Sequence, residues 1–314
     1  MRSQKLWGLL AALGGVSAVL VLLWPAHAYA WGPLAHLEFG EGALASLPLV
    51  PASIRSLLSA CGNEFLYGTL AADMIVGKNL ARYAVHCHNW KVGFQVLEQA
   101  RDEPERAFAY GFLAHLGADT VAHNYYVPYK TVQAYGRRRS GHAYWELRYD
   151  QRLNPELWRT ARRVSRRALR RHDAFLREAI GAGAVLPFGL SKRMFEGLLL
   201  SARLKKWQQM SAMMAGRRNL PLEDDEITEM RELAVEQIVG MLRDGPDARC
   251  VTADPTGLRN LRLATDMRRR LRRARDRGLT PERAAETIAR VRPAFREAIH
   301  GPLHLPHLEE LYTS

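Results

Sequence analysis

The sequence is poor in cysteine, with only Cys61, Cys87 and Cys250 in 314 residues. Three thiols allow at most one disulfide bridge, which excludes the cysteine-rich frameworks that stabilise small secreted domains. Alternating strand-like runs with hairpin signals are also scarce after residue 30. Hydrophobic residues at 47% and charged residues at 25% argue against a disordered chain, a collagen-like repeat and a polytopic membrane protein.

Acidic residues fail to balance the basic ones in the second half of the sequence. The chain has 45 Lys and Arg against 32 Asp and Glu, a net charge of +13. Residues 1–30 hold two basic residues and no acid, residues 31–150 hold 11 of each, and residues 151–314 hold 32 basic and 21 acidic residues. The excess of positive charge beyond residue 30 therefore belongs to the second half.

The first 30 residues have the features of a signal peptide. Arg2 and Lys5 precede an uncharged apolar run over residues 6–24, and residues 28–30 form the small-x-small pattern of a cleavage site. Cleavage there would leave Trp31 as the free amino terminus of an exported protein, either periplasmic or secreted. The alternative is a membrane anchor formed by residues 6–24, since this run approaches the ~20 apolar residues needed to cross a bilayer.

Apolar residues recur at spacings of three and four along most of the chain after Trp31, which predicts helices. The segments that show this best are Ile54–Leu58, Phe94–Leu97, Ala107–Leu116, Leu198–Trp207 and Leu233–Leu242. Gly and Pro residues separate the helical segments, and no internal repeat is evident. The sequence therefore predicts an all-α protein folded as a multi-helix bundle.

Three regions are expected along the chain. Residues 1–30 form the signal peptide, residues 31–216 a helical domain, and residues 217–314 a basic helical region that could pack on the first. The boundary is placed at 217–225, where Pro221 and a cluster of acidic residues suit the start of a helix.

Two arginine clusters of the second half, at residues 162–171 and 268–277, would form basic stripes on helices. Each stripe is either a solvated helix face or a surface that attracts an anionic partner, which would be a phospholipid membrane or a nucleic acid. Neither stripe has the interleaved aromatic residues of a single-strand binding platform, which favours lipid over nucleic acid. Nothing in the sequence indicates an oligomeric state.

The strongest signal is a group of histidines and acids in the first half of the chain. His115, Asp119 and His123 follow one another at intervals of four residues in a helical segment, so their side chains would project from one face. His142 and Glu146 repeat this spacing. Imidazole and carboxylate groups are zinc ligands, and two such helices that face each other can enclose more than one metal ion.

His86 and His88 are further candidate ligands, and they flank Cys87. Two histidines one residue apart diverge on a helix, so both could bind one metal only from a loop. One of the two is therefore expected to be a ligand. Cys87 is either another zinc ligand or a small packed residue. Zinc suits an exported protein because it has no redox chemistry that an oxidising compartment could disturb.

These residues resemble, in order, the metal ligands of the bacterial zinc-dependent phospholipases C, which are related to the zinc-dependent single-strand nucleases. The positions that carry the resemblance are Trp31 and His36 within Trp-Gly-Pro-Leu-Ala-His, Asp73 after Ala-Ala, His86 or His88, His115, Asp119, His123, His142 and Glu146. The resemblance implies the helical bundle of that family, with a cleft that holds up to three zinc ions. It also implies that Trp31, as the first residue of the mature chain, binds zinc through its α-amino nitrogen and carbonyl oxygen.

The resemblance implies three ligand sets, two of which share Asp119 as a bridge. The sets are Trp31, His36 and Asp119; then Asp73, His86 or His88, His115 and Asp119; and finally His123, His142 and Glu146. The spacing from Asp119 to His123 departs from the pattern of the family. Well-known members have six residues, one of them a proline, between the aspartate and the next histidine. In the present sequence His123 is four positions after Asp119, and no proline lies between them.

The function that the resemblance implies is hydrolysis of phospholipids on the glycerol side of the phosphate by a metal-activated water. Asp73 is the expected catalytic residue, a carboxylate that touches metal and helps to deprotonate the water. A zinc-dependent nuclease or another phosphodiesterase would use the same ligands. The alternative outside enzymes is a zinc-binding helical protein whose metal cluster is structural.

Overall fold

A computed structural model describes residues 31–74, 87–136, 142–164, 169, 171–180, 189, 192–193 and 222–306. All regular elements within these residues are helical, which confirms the all-α prediction. The α-helices are α1 (Pro33–Ala45), α2 (Ala52–Ala60), α3 (Gly62–Gly68), α4 (Trp90–Glu98), α5 (Glu103–Val121), α6 (Val127–Gln133), α7 (His142–Asp150), α8 (Leu157–Val164), α9 (Arg171–Ile180), α10 (Asp224–Asp244), α11 (Leu258–Asp276) and α12 (Pro281–Glu297). Over this part of the chain, no helix combines the length and the apolar character needed to cross a membrane.

Shorter turns of helix connect these elements. Turns of 3₁₀-helix lie at Leu47–Leu49, Ala71–Met74, Gly245–Asp247, Arg249–Thr252 and Ala298–His300, and Ala122–Tyr126 forms one turn of π-helix. Four of the five segments with helical spacing fall within α2, α4, α5 and α10. The segment Leu198–Trp207 lies outside the described residues, as does most of the expected boundary at 217–225.

Helix α5 forms the centre of the bundle. All its side chains from Ala107 to Val121 are buried except that of Tyr110, which is partly buried. It packs against α3, α4 and α10. A helix that is buried on all sides is a core helix, so the polar side chains it carries must find partners within the core.

The acidic cluster that follows residue 221 starts helix α10. Glu223 is the N-cap residue, and it forms a capping box with Glu226. Acidic side chains in this first turn also lie at the positive end of the helix dipole. Because α10 packs against both α5 and α1, residues 224–244 support the two helices that carry His36, His115 and Asp119.

Candidate metal centre

Five of the expected ligands converge in the interior of the bundle. They are His36 of α1, Asp73 of the 3₁₀ turn Ala71–Met74, His88 just before α4, and His115 and Asp119 of α5, and none is more than 3% exposed. Within the described residues, two groups have ligand atoms that all lie within 4.8 Å of one another. One group is His36, Asp73 and His115, and the other is His88, His115 and Asp119.

His115 has one ring nitrogen fixed by the backbone. Its Nδ1 lies 2.8 Å from the carbonyl oxygen of Thr69, the C-cap residue of α3. A carbonyl can only accept a hydrogen bond, so Nδ1 carries a proton, and in the neutral ring the lone pair is then on Nε2. This Nε2 lies 3.2 Å from Oδ2 of Asp119. A backbone carbonyl that fixes one ring nitrogen in this way is the usual partner of a metal-binding histidine.

The Nε2 atom of His88 also faces the carboxylate of Asp119. Its Nδ1 lies 3.3 Å from Sγ of Cys87, and Nε2 lies 3.1 Å from Oδ2 of Asp119 and 3.5 Å from Oδ1 of Asp73. The Nε2 atoms of His88 and His115 are only 3.0 Å apart. Cys87 belongs to neither group of ligand atoms in the described part of the chain, and its Sγ donates to the carbonyl oxygen of Ala72, so the structure favours the packing interpretation of this cysteine.

His36 is the third histidine of the cluster, and it contacts both His115 and Asp119. Its ring stacks on that of His115 with centroids 3.8 Å apart, and its Nε2 lies 3.5 Å from Oδ1 of Asp119. Neither ring nitrogen of His36 has a hydrogen-bond partner. Burial, followed by the nearby His115, lowers the pKa of His36 to about 3. The ring is therefore neutral near pH 7, which is the form that binds a metal ion.

Asp119 lies between the three histidines. Burial by itself would raise its pKa, but the adjacent His115 and the hydrogen-bonding contribution of His115 and His88 hold the pKa of this carboxyl well below its usual range. Neither of its oxygens has a hydrogen bond of normal geometry, although both are buried. An ionised and unsatisfied carboxylate in an apolar interior is costly unless a positive charge accompanies it.

This donor set fits a divalent cation. Ring nitrogens and carboxylate oxygens face a common space, and within the described residues neither Asp119 nor His36 has a side-chain hydrogen bond of normal geometry. Zinc accepts exactly such donors in its tetrahedral sites, with bonds of about 2.0–2.2 Å to nitrogen and oxygen. A zinc ion bound there would offset the negative charge of Asp119 and occupy the space between the ring nitrogens.

His123 and Glu146 are buried but lie in neither of the two groups found among the described residues. The backbone of His142 begins α7, and its side chain lies outside the description, as does all of His86. The third expected ligand set therefore stays a prediction, as does the zinc ligation of each residue in the other two.

The regular α-helical hydrogen bonding that carries His115 and Asp119 changes at His123. This residue lies in the π-turn Ala122–Tyr126, which is closed by a bond from the Val127 N–H to the Ala122 carbonyl. Pro128 follows, and because it has no N–H it cannot donate to the carbonyl four residues earlier. The Nδ1 atom of His123 contacts the carbonyl oxygen of Pro255. Turns of π-helix occur frequently at functional sites.

Trp31 is packed beside the cluster. Its indole is fully buried, its Nε1 donates to the carbonyl oxygen of Ala118 at 3.0 Å, and its ring stacks on Tyr126 with centroids 4.9 Å apart. Ala118 immediately precedes Asp119 on α5. The side chain thus fixes the first residue after the expected cleavage site next to the candidate metal centre.

Asp150 supports the cluster and was missed by the sequence analysis. Its two oxygens lie 3.4 Å from the Leu34 N and 3.2 Å from the Ala35 N, so it accepts from the first turn of α1, which carries His36. Burial raises the pKa of Asp150 to about 7. A usable signal was present, since Asp150 follows Glu146 at the same interval of four residues. The sequence contains no signal for Thr69, because the group that contacts His115 is a backbone carbonyl and every residue has one.

Comparison with known proteins adds one finding. Residues 35–182 match the protein family described as zinc dependent phospholipase C. This stretch is just under half of the chain and contains all five residues of the buried cluster. No curated protein and no solved structure shows a significant match.

Proposed function

Because residues 35–182 match the zinc dependent phospholipase C family, we propose that the chain is an exported zinc-dependent phosphodiesterase that acts on phospholipids. It cleaves the phosphoester on the glycerol side and releases diacylglycerol and a phosphorylated headgroup. The observation that carries this proposal is the buried cluster of His36, Asp73, His88, His115 and Asp119, in which ring nitrogens and carboxylate oxygens converge and the oxygens of Asp119 have no hydrogen bond of normal geometry within the described residues.

The residues of the cluster offer two kinds of metal ligand. His36, His88 and His115 offer ring nitrogens, and Asp73 and Asp119 offer carboxylate oxygens. The low pKa of His36 and that of Asp119 leave both groups deprotonated near neutral pH, so metal does not have to compete with protons for them. Zinc ions, when bound, make a water acidic enough to lose its proton near neutral pH and offset negative charge on phosphoryl oxygens.

Asp73 is the proposed catalytic residue. It is 3% exposed and lies at the edge of the cluster, with Oδ1 3.5 Å from Nε2 of His88 and Oδ2 3.9 Å from Nε2 of His36. Its carboxylate accepts a proton from the attacking water. The water oxygen bonds to phosphorus, the bond from phosphorus to the glycerol oxygen breaks, and the glycerol oxygen takes up a proton as it leaves.

Purified chain that begins at Trp31 tests the function with three substrates: phosphatidylcholine, phosphatidylethanolamine and single-stranded DNA, each with added zinc. We expect diacylglycerol from the phospholipids. D73N should lower kcat by roughly 10²–10⁴-fold, whereas D247N, which changes an exposed aspartate, should have no effect. Cleavage of DNA alone would identify a nuclease, and no turnover of any phosphodiester would overturn the enzymatic proposal.

Metal analysis separates the catalytic cluster from a structural site. The family resemblance leads us to expect more than one zinc ion per chain, with three as the full set. D119N should lose more than one ion, because Asp119 is the proposed bridge. A single tightly bound ion that D119N retains would favour a structural zinc protein instead.

Export and the free amino terminus are part of the same proposal. We expect the amino-terminal residue of the exported protein to be Trp31. A variant with one alanine placed before Trp31 keeps the indole and its bond to Ala118 but changes the α-amino group into an amide. It should bind one zinc ion fewer than the chain that begins at Trp31, and an exported protein that still begins at Met1 would contradict this assignment.

A further inference from the structure

One exposed side of helix α11 is densely basic. Five of its arginines and the arginine that follows the helix define the basic face: Arg259, Arg262, Arg270, Arg272, Arg273 and Arg277, all of which are exposed. The opposite side of α11 is buried through Asn260, Ala264, Met267 and Leu271. From the first to the last of these arginines the helix advances about 27 Å at 1.5 Å per residue.

The guanidinium groups of the basic face have no acidic partners in the described part of the chain. The acids of α11, Asp266 and Asp276, lie on the same exposed side of the helix, where they pair with Arg269 and Arg275 and leave the six arginines of the basic face without an acidic partner. None of the six arginines forms an ion pair or side-chain hydrogen bond with any other described residue. Six like charges on one helix repel one another, and this unbalanced charge attracts an anionic surface over a distance of about 10 Å at moderate salt.

Helix α11 begins next to the π-turn that adjoins the candidate metal centre. Asn260, on the first turn of α11, donates from Nδ2 to Oδ1 of Asn124 at 2.7 Å. Gly257 precedes the helix with a positive φ of 54°, and a Cβ atom there would come within 2.3 Å of the carbonyl oxygen of His123. These contacts attach the buried side of α11 to the π-turn that continues from Asp119, so the helix that carries the basic face is packed on the segment next to the site.

We propose that the basic face binds the surface of an anionic phospholipid bilayer and holds the protein at its substrate. This inference rests on the proposed function and adds a lipid-docking surface outside residues 35–182. Two observations favour a bilayer over a nucleic acid. No aromatic residue occurs in Leu258–Asp276, whereas single-strand platforms stack bases on aromatic rings. Leu258 is 40% exposed at the start of the helix and offers an apolar contact to the membrane interface.

Vesicle sedimentation with the chain that begins at Trp31 tests the proposal. The vesicles contain phosphatidylcholine alone or phosphatidylcholine mixed with phosphatidylglycerol. The triple variant R262Q/R270Q/R273Q should partition onto the mixed vesicles about a hundredfold more weakly than wild type, since each basic residue near an anionic surface adds to the attraction. Glutamine preserves helix propensity, and circular dichroism verifies that the variant is folded.

The matched control is R55Q/R106Q/R177Q. These arginines are exposed, lie on α2, α5 and α9, and form no ion pair with another described residue, so the loss of net charge is identical. The control should bind mixed vesicles nearly as well as wild type, and rising salt should weaken wild-type binding. Equal losses in both variants, binding that does not depend on phosphatidylglycerol, or no loss in the first variant would each overturn the proposal.

Two further measurements distinguish the lipid-docking proposal from the proposed hydrolase function and from nucleic-acid binding. Hydrolysis of a monomeric short-chain phosphatidylcholine should be unchanged in R262Q/R270Q/R273Q, because that substrate does not require a surface. Loss of vesicle binding together with no hydrolysis by any variant would defeat the proposed function and leave the docking surface standing. A variant that loses affinity for a single-stranded oligonucleotide but not for vesicles would identify nucleic acid as the partner and reject the lipid.

Discussion

Gly68 of α3 and Gly111 of α5 lie against each other where the two helices cross. A Cβ atom on Gly68 would come within 2.0 Å of the Phe108 carbonyl oxygen, and one on Gly111 within 2.0 Å of the Phe65 carbonyl oxygen. The backbones can approach this closely only because both residues lack a side chain. The contact sets the position of Thr69, the next residue after Gly68, whose carbonyl oxygen accepts the hydrogen bond from His115.

Replacing Gly111 by alanine should therefore damage both fold and site. We expect G111A to lower the free energy of unfolding by about 2–3 kcal/mol, because the new methyl group overlaps backbone atoms that cannot move independently. It should also weaken zinc binding by displacing Thr69. The checks are urea unfolding in chelator and a competition titration with zinc.

G240A is the matched control for this change. Gly240 is also inside a helix, but a Cβ atom there has no neighbour within 4 Å. This variant should gain about 0.5–1 kcal/mol of stability, since alanine is the better helix former. If G240A and G111A lost stability equally, the close approach of α3 and α5 would not be the cause.

Asp150 should affect zinc affinity as well as the stability of the fold. D150A removes the acceptor for the Leu34 and Ala35 N–H groups, so it frees the start of α1 that carries His36. D102A removes a comparable acceptor, the N-cap of α5, which accepts from the Glu105 N at 2.8 Å. Each variant should lose about 1 kcal/mol of stability. Only D150A should also lower zinc affinity, and identical zinc titrations of the two variants would show that Asp150 acts only as a cap.

His172 predicts a pH dependence that is separate from the metal centre. Its ring is fully buried and stacks on Phe108 with centroids 5.0 Å apart, and neither of its nitrogens has a hydrogen-bond partner among the described residues. Burial, followed by the charge of Arg171, lowers the pKa of His172 from 6.5 to about 4. The unfolded chain therefore takes up a proton first as the pH falls. Stability due to this residue is complete above pH 6.5 and is lost between pH 6.5 and about pH 4.

H172F should remove that part of the acid sensitivity while retaining the stacked ring. Between neutral pH and about pH 4, wild type should lose about 3 kcal/mol more stability than H172F, as 1.36 kcal/mol per pKa unit implies. Denaturant unfolding in chelator at several pH values measures the difference without a contribution from metal release. H304Q changes an exposed histidine and should keep the wild-type pH dependence. An unchanged slope in H172F would contradict the burial argument.

The sequence predicted the relative positions of candidate ligands that are close together on one helix. His115 and Asp119 are one helical turn apart, so any α-helix brings them to the same side, and the structure has them on α5 with Nε2 and Oδ2 3.2 Å apart. From Ala122 the helix continues as a π-turn, which the proline at residue 128 favours over a continuous α-helix, and the ligation expected of His123 stays a prediction. Local spacing predicts a face only as long as the helix keeps its period.

The amino-acid sequence by itself determined the helical class, the basic second half and the set of imidazole and carboxylate groups, because periodicity, charge and chemical type are properties of the chain alone. Tertiary structure decided which of these groups meet. His36 stacks on His115 and lies 3.5 Å from Asp119 only because α1, α3 and α5 pack around a shared core. It also decided that the Thr69 carbonyl and Asp150 hold the histidines in place. Contacts between distant residues depend on how helices cross, and the packing of side chains and glycines sets those crossings.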